Sequence, residues 1–150
     1  LRALGLDLGS KRIGVATSDR SGTIASPLTT VSRSGSRADE HRRIADIARE
    51  EEVECIVVGL PLSLAGDEGP AAKAAIAEAE QLASVVDVPV YLHDERFTTK
   101  TAHDVLMANK MRAQARRRVV DKVAAAVMLQ SWLDSRLDSG RDEREDHEPS

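Results

Sequence analysis

The sequence predicts an α/β fold, a five-stranded mixed sheet that is an antiparallel meander first and parallel strands later, with helices on both faces. Three observations predict it. A chain of 150 residues suits one domain with one core. Hydrophobic residues make up 41% and aromatics only 2%, so the core is built from Val, Ile, Leu and Ala, which favours helices layered on a sheet. The apolar pattern also changes period along the chain, from short extended runs to helical spacing and back.

Leu1–Asp7 and Arg12–Ser18 are apolar runs joined by Leu8-Gly9-Ser10-Lys11, which reads as a hairpin. The turn signal Arg20-Ser21-Gly22 leads to a third extended stretch, Ser26–Val31, completing the meander. Ile44, Ile47 and Ala48 then recur at helical spacing within Arg37–Glu51, an amphipathic helix. Val53–Gly59 is a short apolar run, Pro70–Val86 an alanine-rich helix opened by proline, and Val88–His93 another apolar run. Strand, helix, strand implies a parallel crossover. A helix from Thr98 to about Asn109, a basic loop over Lys110–Arg116 and a long helix from Arg117 to Leu137 follow. Asp138–Ser150 has no apolar periodicity and is expected to be a disordered acidic tail after a domain spanning 1–137.

Cys55 is the single cysteine, which excludes an internal disulfide and a thiol cluster for zinc. That fits a reducing compartment, and with no apolar run of membrane-spanning length a cytoplasmic location is expected. The chain opens on Leu1, so a missing initiating segment is expected. Net charge is −4, and the last thirteen residues, with six acids and two arginines, account for all of it. A neutral body binds phosphate when its bases gather on one surface.

Ligands of such sheets collect beyond the carboxyl ends of the parallel strands, and three acids are placed for that edge. Asp7, in Gly5-Leu6-Asp7-Leu8-Gly9-Ser10, ends the first strand between glycines that let a backbone or a phosphate approach closely. Asp94 and Glu95 follow the last strand, and Asp121 opens an otherwise apolar helix. Each has a bland reading: Asp7 capping a turn, Asp94 and Glu95 complementing a helix dipole, Asp121 pairing with Lys122 or a nearby arginine. Convergence gives them chemical meaning, because phosphodiester hydrolysis uses two metal ions ~3.5–4 Å apart, and hard cations need oxygen ligands. Lys11, Arg12, Arg96, Arg112, Arg116 and Lys122 flank these acids and suit a phosphate backbone. With so few aromatics, base stacking contributes little. His41, His93, His103 and His147 lack metal-ligand spacing, and Cys55 reads as core. The glycine-bearing loop after Gly59 leads into the Pro70 helix, whose N-terminus could take a phosphate or simply connect.

Gly5-Leu6-Asp7-Leu8-Gly9-Ser10-Lys11-Arg12-Ile13-Gly14-Val15-Ala16, Ser26-Pro27-Leu28, Val57-Val58-Gly59-Leu60-Pro61-Leu62, Asp94-Glu95-Arg96-Phe97-Thr98-Thr99 and Asp121-Lys122-Val123-Ala124-Ala125 resemble, in order and spacing, the bacterial YqgF (RuvX) family. The resemblance implies an RNase H-like fold similar to the RuvC Holliday junction resolvases. It implies a nuclease maturing the 5′ end of pre-16S rRNA, with junction resolution as the alternative. It further implies Asp7, Glu95 and Asp121 as catalytic metal ligands, and magnesium or manganese as cofactor. Ser63 stands where the family commonly carries Asn. The RuvC resolvases carry a glutamate at the end of the fourth strand, whereas this chain reads Gly59-Leu60-Pro61 there. If strand 4 lies between strands 1 and 5, Glu95 must reach inward from its loop, with Asp94 as competitor.

Pre-rRNA or branched DNA are thus the expected partners, with a monomer or a homodimer both open. A non-catalytic RNA-binding, ribosome-associated factor is the rival from another class. A sugar-kinase or actin-like ATPase shares the Asp-x-Gly-Ser hairpin, but such proteins close two related domains and this chain supplies one.

Overall fold

A computed structural model describes residues 1–62, 67–95 and 122–136. Its strands are β1 (Ala3–Leu8), β2 (Arg12–Ser18), β3 (Ala25–Ser32), β4 (Cys55–Leu60) and β5 (Val90–Asp94), with α1 (Arg37–Glu50) after β3 and α2 (Pro70–Ala83) after β4. Residues 122–136 form a further helix, α3. The sheet order is β3-β2-β1-β4-β5. β1 pairs antiparallel with β2 and parallel with β4, and β4 pairs parallel with β5, as the sequence predicts.

Alternation along β1 explains the two layers. Leu4 and Leu6 point into one core with Ile44 and Ile47 of α1 and Ala79 and Leu82 of α2. Ala3 points the other way, into a second core with Val57, Ala125, Met128 and Leu129. Helices therefore cover both faces, and α3 alone among the described residues covers the second. α3 is pinned across the sheet. Gln130 accepts from the Ala25 N–H (2.9 Å) and donates to the Thr23 carbonyl (2.8 Å), while Ser131 Oγ meets His93 Nε2 at 3.0 Å and Trp132 stacks on Tyr91 at 6.0 Å.

The expected strand at Val53 begins instead at Cys55, because Val53 closes α1. Glu52 takes φ 53°, and the Val53 N–H donates to the Ala48 carbonyl at 3.1 Å, so this valine packs into the core as part of the helix ending. Likewise α2 stops at Ala83, and the Val86 N–H turns back to the Leu82 carbonyl at 3.1 Å. Val86 and Val88 pack on the core from the connection into β5. The Thr98 helix, the basic loop and the tail lie outside the described residues, as does the start of the last helix.

Candidate active site

Asp7 and Glu95 come together at the carboxyl ends of the parallel strands. Leu6 pairs with Val58, so Asp7 and Gly59 stand one residue further along their neighbouring strands. On the other side Asp7 pairs with Gly14 of β2. A residue without a side chain thus flanks Asp7 on each neighbouring strand.

Glu95 follows β5, two strands away from β1. Its side chain crosses the intervening strand over Gly59. A Cβ built on Gly59 would collide with Glu95 Oε1 and lie 3.1 Å from both Cγ and Cδ of the same side chain. Any larger residue at position 59 would close the path. Gly59 is a position at this site whose part sequence reasoning missed. Its signal was a lone glycine inside an apolar strand, which marks a close approach.

The meeting of the two carboxyl groups has an electrostatic signature. Burial, then the neighbouring Asp7 charge, pushes Glu95 up to about 7 from an ordinary value of 4.5. Protonated, Glu95 donates a hydrogen bond to Asp7. Both charges that act on Glu95 among the described residues, Asp7 and Asp94, are negative. Asp94 itself pairs in register with Leu60, and strand alternation sets it with Leu92 on the sheet face opposite His93. Of the two competing acids, Glu95 is the one that reaches Asp7. A pair of carboxyl groups sharing a proton is a donor set that suits a hard cation in place of that proton.

His93 is buried under α3 and, chiefly through desolvation, sits below the ordinary histidine value. Its ring packs under α3 against Ser131 Oγ. His41 is buried as well, with Nε2 2.9 Å from Glu78 Oε2. The glycines around Asp7 were expected to admit a backbone or a phosphate; at Gly9 backbone fills the space, and at Gly5 the Leu129 side chain does so together with the Ala125 carbonyl. A Cβ on Gly5 would lie 2.8 Å from Leu129 Cβ and 3.3 Å from the Ala125 carbonyl of α3, and one on Gly9 would lie 2.5 Å from the Arg12 carbonyl. Lys11 is exposed, and Arg12 and Lys122 are half-buried. Asp121, Arg96, Arg112 and Arg116 lie outside the described residues. Among the described residues no three His, Cys, Asp or Glu side chains gather as a metal-binding group.

A cavity of about 430 Å³ opens beside the pair, lined by Asp7, Gly9, Gly59 and Glu95 and, further along, by Arg33 and Glu78. It lies at the strand ends, as in other open α/β sheets.

The sequence profile of the RuvX family, described as a Holliday junction resolvase, matches residues 1–135. This chain belongs to the RuvX family. A Nocardia farcinica protein named "Putative pre-16S rRNA nuclease" is 47% identical over 141 residues, covering 90% of this chain and 78% of that one. A Roseiflexus protein of the same name is 41% identical over 134 residues, covering 89% and 94%. Among solved structures, Thermus thermophilus RuvC bound to a Holliday junction substrate superposes with a TM-score of 0.63 at 16% identity, covering 92% of this chain and 96% of that one. At that identity the likeness is one of fold, and it establishes the RNase H-like architecture of this RuvX chain. Among the described residues no helix is long and apolar enough to cross a membrane.

Proposed function

We propose that this RuvX chain is a metal-dependent endonuclease that hydrolyses phosphodiester bonds in the 5′-end maturation of pre-16S rRNA, in the cytoplasm. The observation that carries the reading is Glu95 crossing Gly59 to share a proton with Asp7. The named relatives support the nuclease and its substrate.

Asp7, Glu95 and Asp121 would hold magnesium or manganese. Asp121 enters that set through the family motif Asp121-Lys122-Val123-Ala124-Ala125. When bound, a pair of such ions activates water and stabilises charge on the attacking and leaving oxygens. The protein's own part is to aim the carboxylates, give up the proton between Asp7 and Glu95, and align the phosphate. Lys11, Arg12, Arg96, Arg112, Arg116 and Lys122 would hold the nucleic-acid backbone, mostly through phosphate contacts. The catalytic unit is taken as residues 1–137, with the acidic tail 138–150 outside it.

Purified protein incubated with precursor rRNA under magnesium or manganese should cut it, and Asp7→Asn should abolish cleavage while leaving the fold intact. Undiminished cutting by the pure variant would refute the role of Asp7. The family description favours one second reading, resolution of four-way DNA junctions. Cutting two symmetric strands needs two active sites, so a stable dimer that cleaves a four-way junction and leaves precursor rRNA whole would replace the first reading.

A further inference from the structure

Arg33 stands between β3 and α1 and binds the β1–β2 turn twice. Its backbone N–H donates to the Lys11 carbonyl at 2.9 Å, and its Nε donates to the Gly9 carbonyl at 3.1 Å. The turn lies directly after the acid pair: the Gly9 N–H closes it by donating to the Asp7 carbonyl at 3.1 Å. The rest of the guanidinium is braced from both helices. Nη1 donates to Glu40 Oε1 (2.8 Å) and Glu78 Oε2 (2.7 Å), and Nη2 donates to Glu78 Oε1 at 3.0 Å. Both carboxylates are themselves held, Glu40 by the Ser34 N–H at 2.8 Å and Glu78 by His41 at 2.9 Å.

Buried ion clusters of this kind add little net stability compared with apolar residues of similar volume, because desolvation offsets the attraction. What they supply is fixed geometry, since a planar fork with several partners has one orientation. Arg33 faces two carboxylates, so its charge is already matched and is not spare for a phosphate. We propose that Arg33, braced by Glu40 and Glu78, is a positioning residue that locks the Gly9–Lys11 turn and thereby the backbone at Asp7. The inference rests on the reading of Asp7 as a cation ligand.

The test uses the intact chain carrying Arg33→Met, Glu40→Leu and Glu78→Leu together, which removes the three buried charges, leaves the half-exposed Arg37 to solvent and takes one hydrogen bond from the buried His41. Its melting temperature should fall only by the modest cost of that bond. Hydrogen exchange at the Gly9 amide should accelerate, Mn2+ affinity measured by calorimetry should fall about 10- to 100-fold, and kcat on precursor rRNA should fall by a similar factor. KM should move by no more than about threefold, because no substrate contact is lost. Arg33→Lys keeps the charge balance but lacks the fork, and it carries the same readouts should the triple variant not fold. Parental Gly9 exchange and Mn2+ affinity in a folded variant would overturn the proposal, as would a raised KM with kcat unchanged. Asp7→Asn binding Mn2+ as the parent does would instead remove the ligand reading, while Gly9 exchange in the Arg33 variants still reports whether the turn is locked.

Discussion

Glu78 and Glu95 are both carboxylates withdrawn from water near the same end of the sheet, and they answer burial in opposite ways. Burial pushes each upward. At Glu78 the hydrogen bonds from Arg33 and His41 overcome that push, and the net shift is down. At Glu95 the two charges that act among the described residues, Asp7 and Asp94, are negative, so the push is reinforced and the group rises to about 7. In the first cluster Arg33 and Arg37 balance Glu40 and Glu78; in the second, carboxyl groups meet each other, an arrangement a cation would suit. Identical side chains thus become scaffold or site according to which charges the fold sets beside them.

The largest effect should come from unbalancing the settled cluster. Arg33→Ala leaves Glu40 and Glu78 buried without their partner and should cost about 3–5 kcal/mol in urea denaturation. Next, two glycines on neighbouring strands should separate structure from site. Gly5→Ala drives a methyl into the α3 contact, where Leu129 Cβ and the Ala125 carbonyl have little room to give, and should cost about 1–3 kcal/mol. At Gly59→Ala the three nearest atoms to the new methyl all belong to the movable end of Glu95, so stability should stay near the parent's while Mn2+ affinity and cleavage fall about 10- to 100-fold.

The two clusters should also give opposite pH trends. Between the ordinary value of 4.5 and about 7 the folded protein keeps a proton on Glu95 that the unfolded chain has lost. Stability without metal should therefore decline as pH rises through that window and level off above it, and saturating Mn2+ should flatten the decline. Glu40 and Glu78 have net downward shifts won by Arg33 against burial, so their contribution is present above the ordinary carboxylate range and lost as pH falls below it. Thermal melts from pH 3 to pH 9 would show a maximum between these limbs. The smallest effect is Asp7→Asn, which removes repulsion from Glu95. It should lower the Glu95 pKa and raise the melting temperature slightly at pH 8 without metal, and a drop there would mean that Asp7 holds the fold instead.

Much was legible in residue order. Period changes located β1 to β5 and both described crossovers to within a few residues, since alternation and helical spacing are local properties of the chain. Errors fell at Val53 and Val86, apolar residues that close helices, because apolarity marks burial without telling a strand from a helix ending. Asp7 and Glu95 were found from their places after strands and from family motifs. Arg33 was not, because its partners Glu40 and Glu78 stand 7 and 45 residues away and no spacing rule links them.

By itself, then, the order of residues determined the strands, the two helices between them, the antiparallel-then-parallel sense of the sheet and the acids at its carboxyl edge, all from short-range pattern and motif. The tertiary structure decided which acid beside β5 turns toward Asp7, that Gly59 leaves the path open, and which glutamates are neutralised. Those outcomes depend on which face of the sheet α3 covers and on charges brought together across long stretches of chain, and local sequence carries neither.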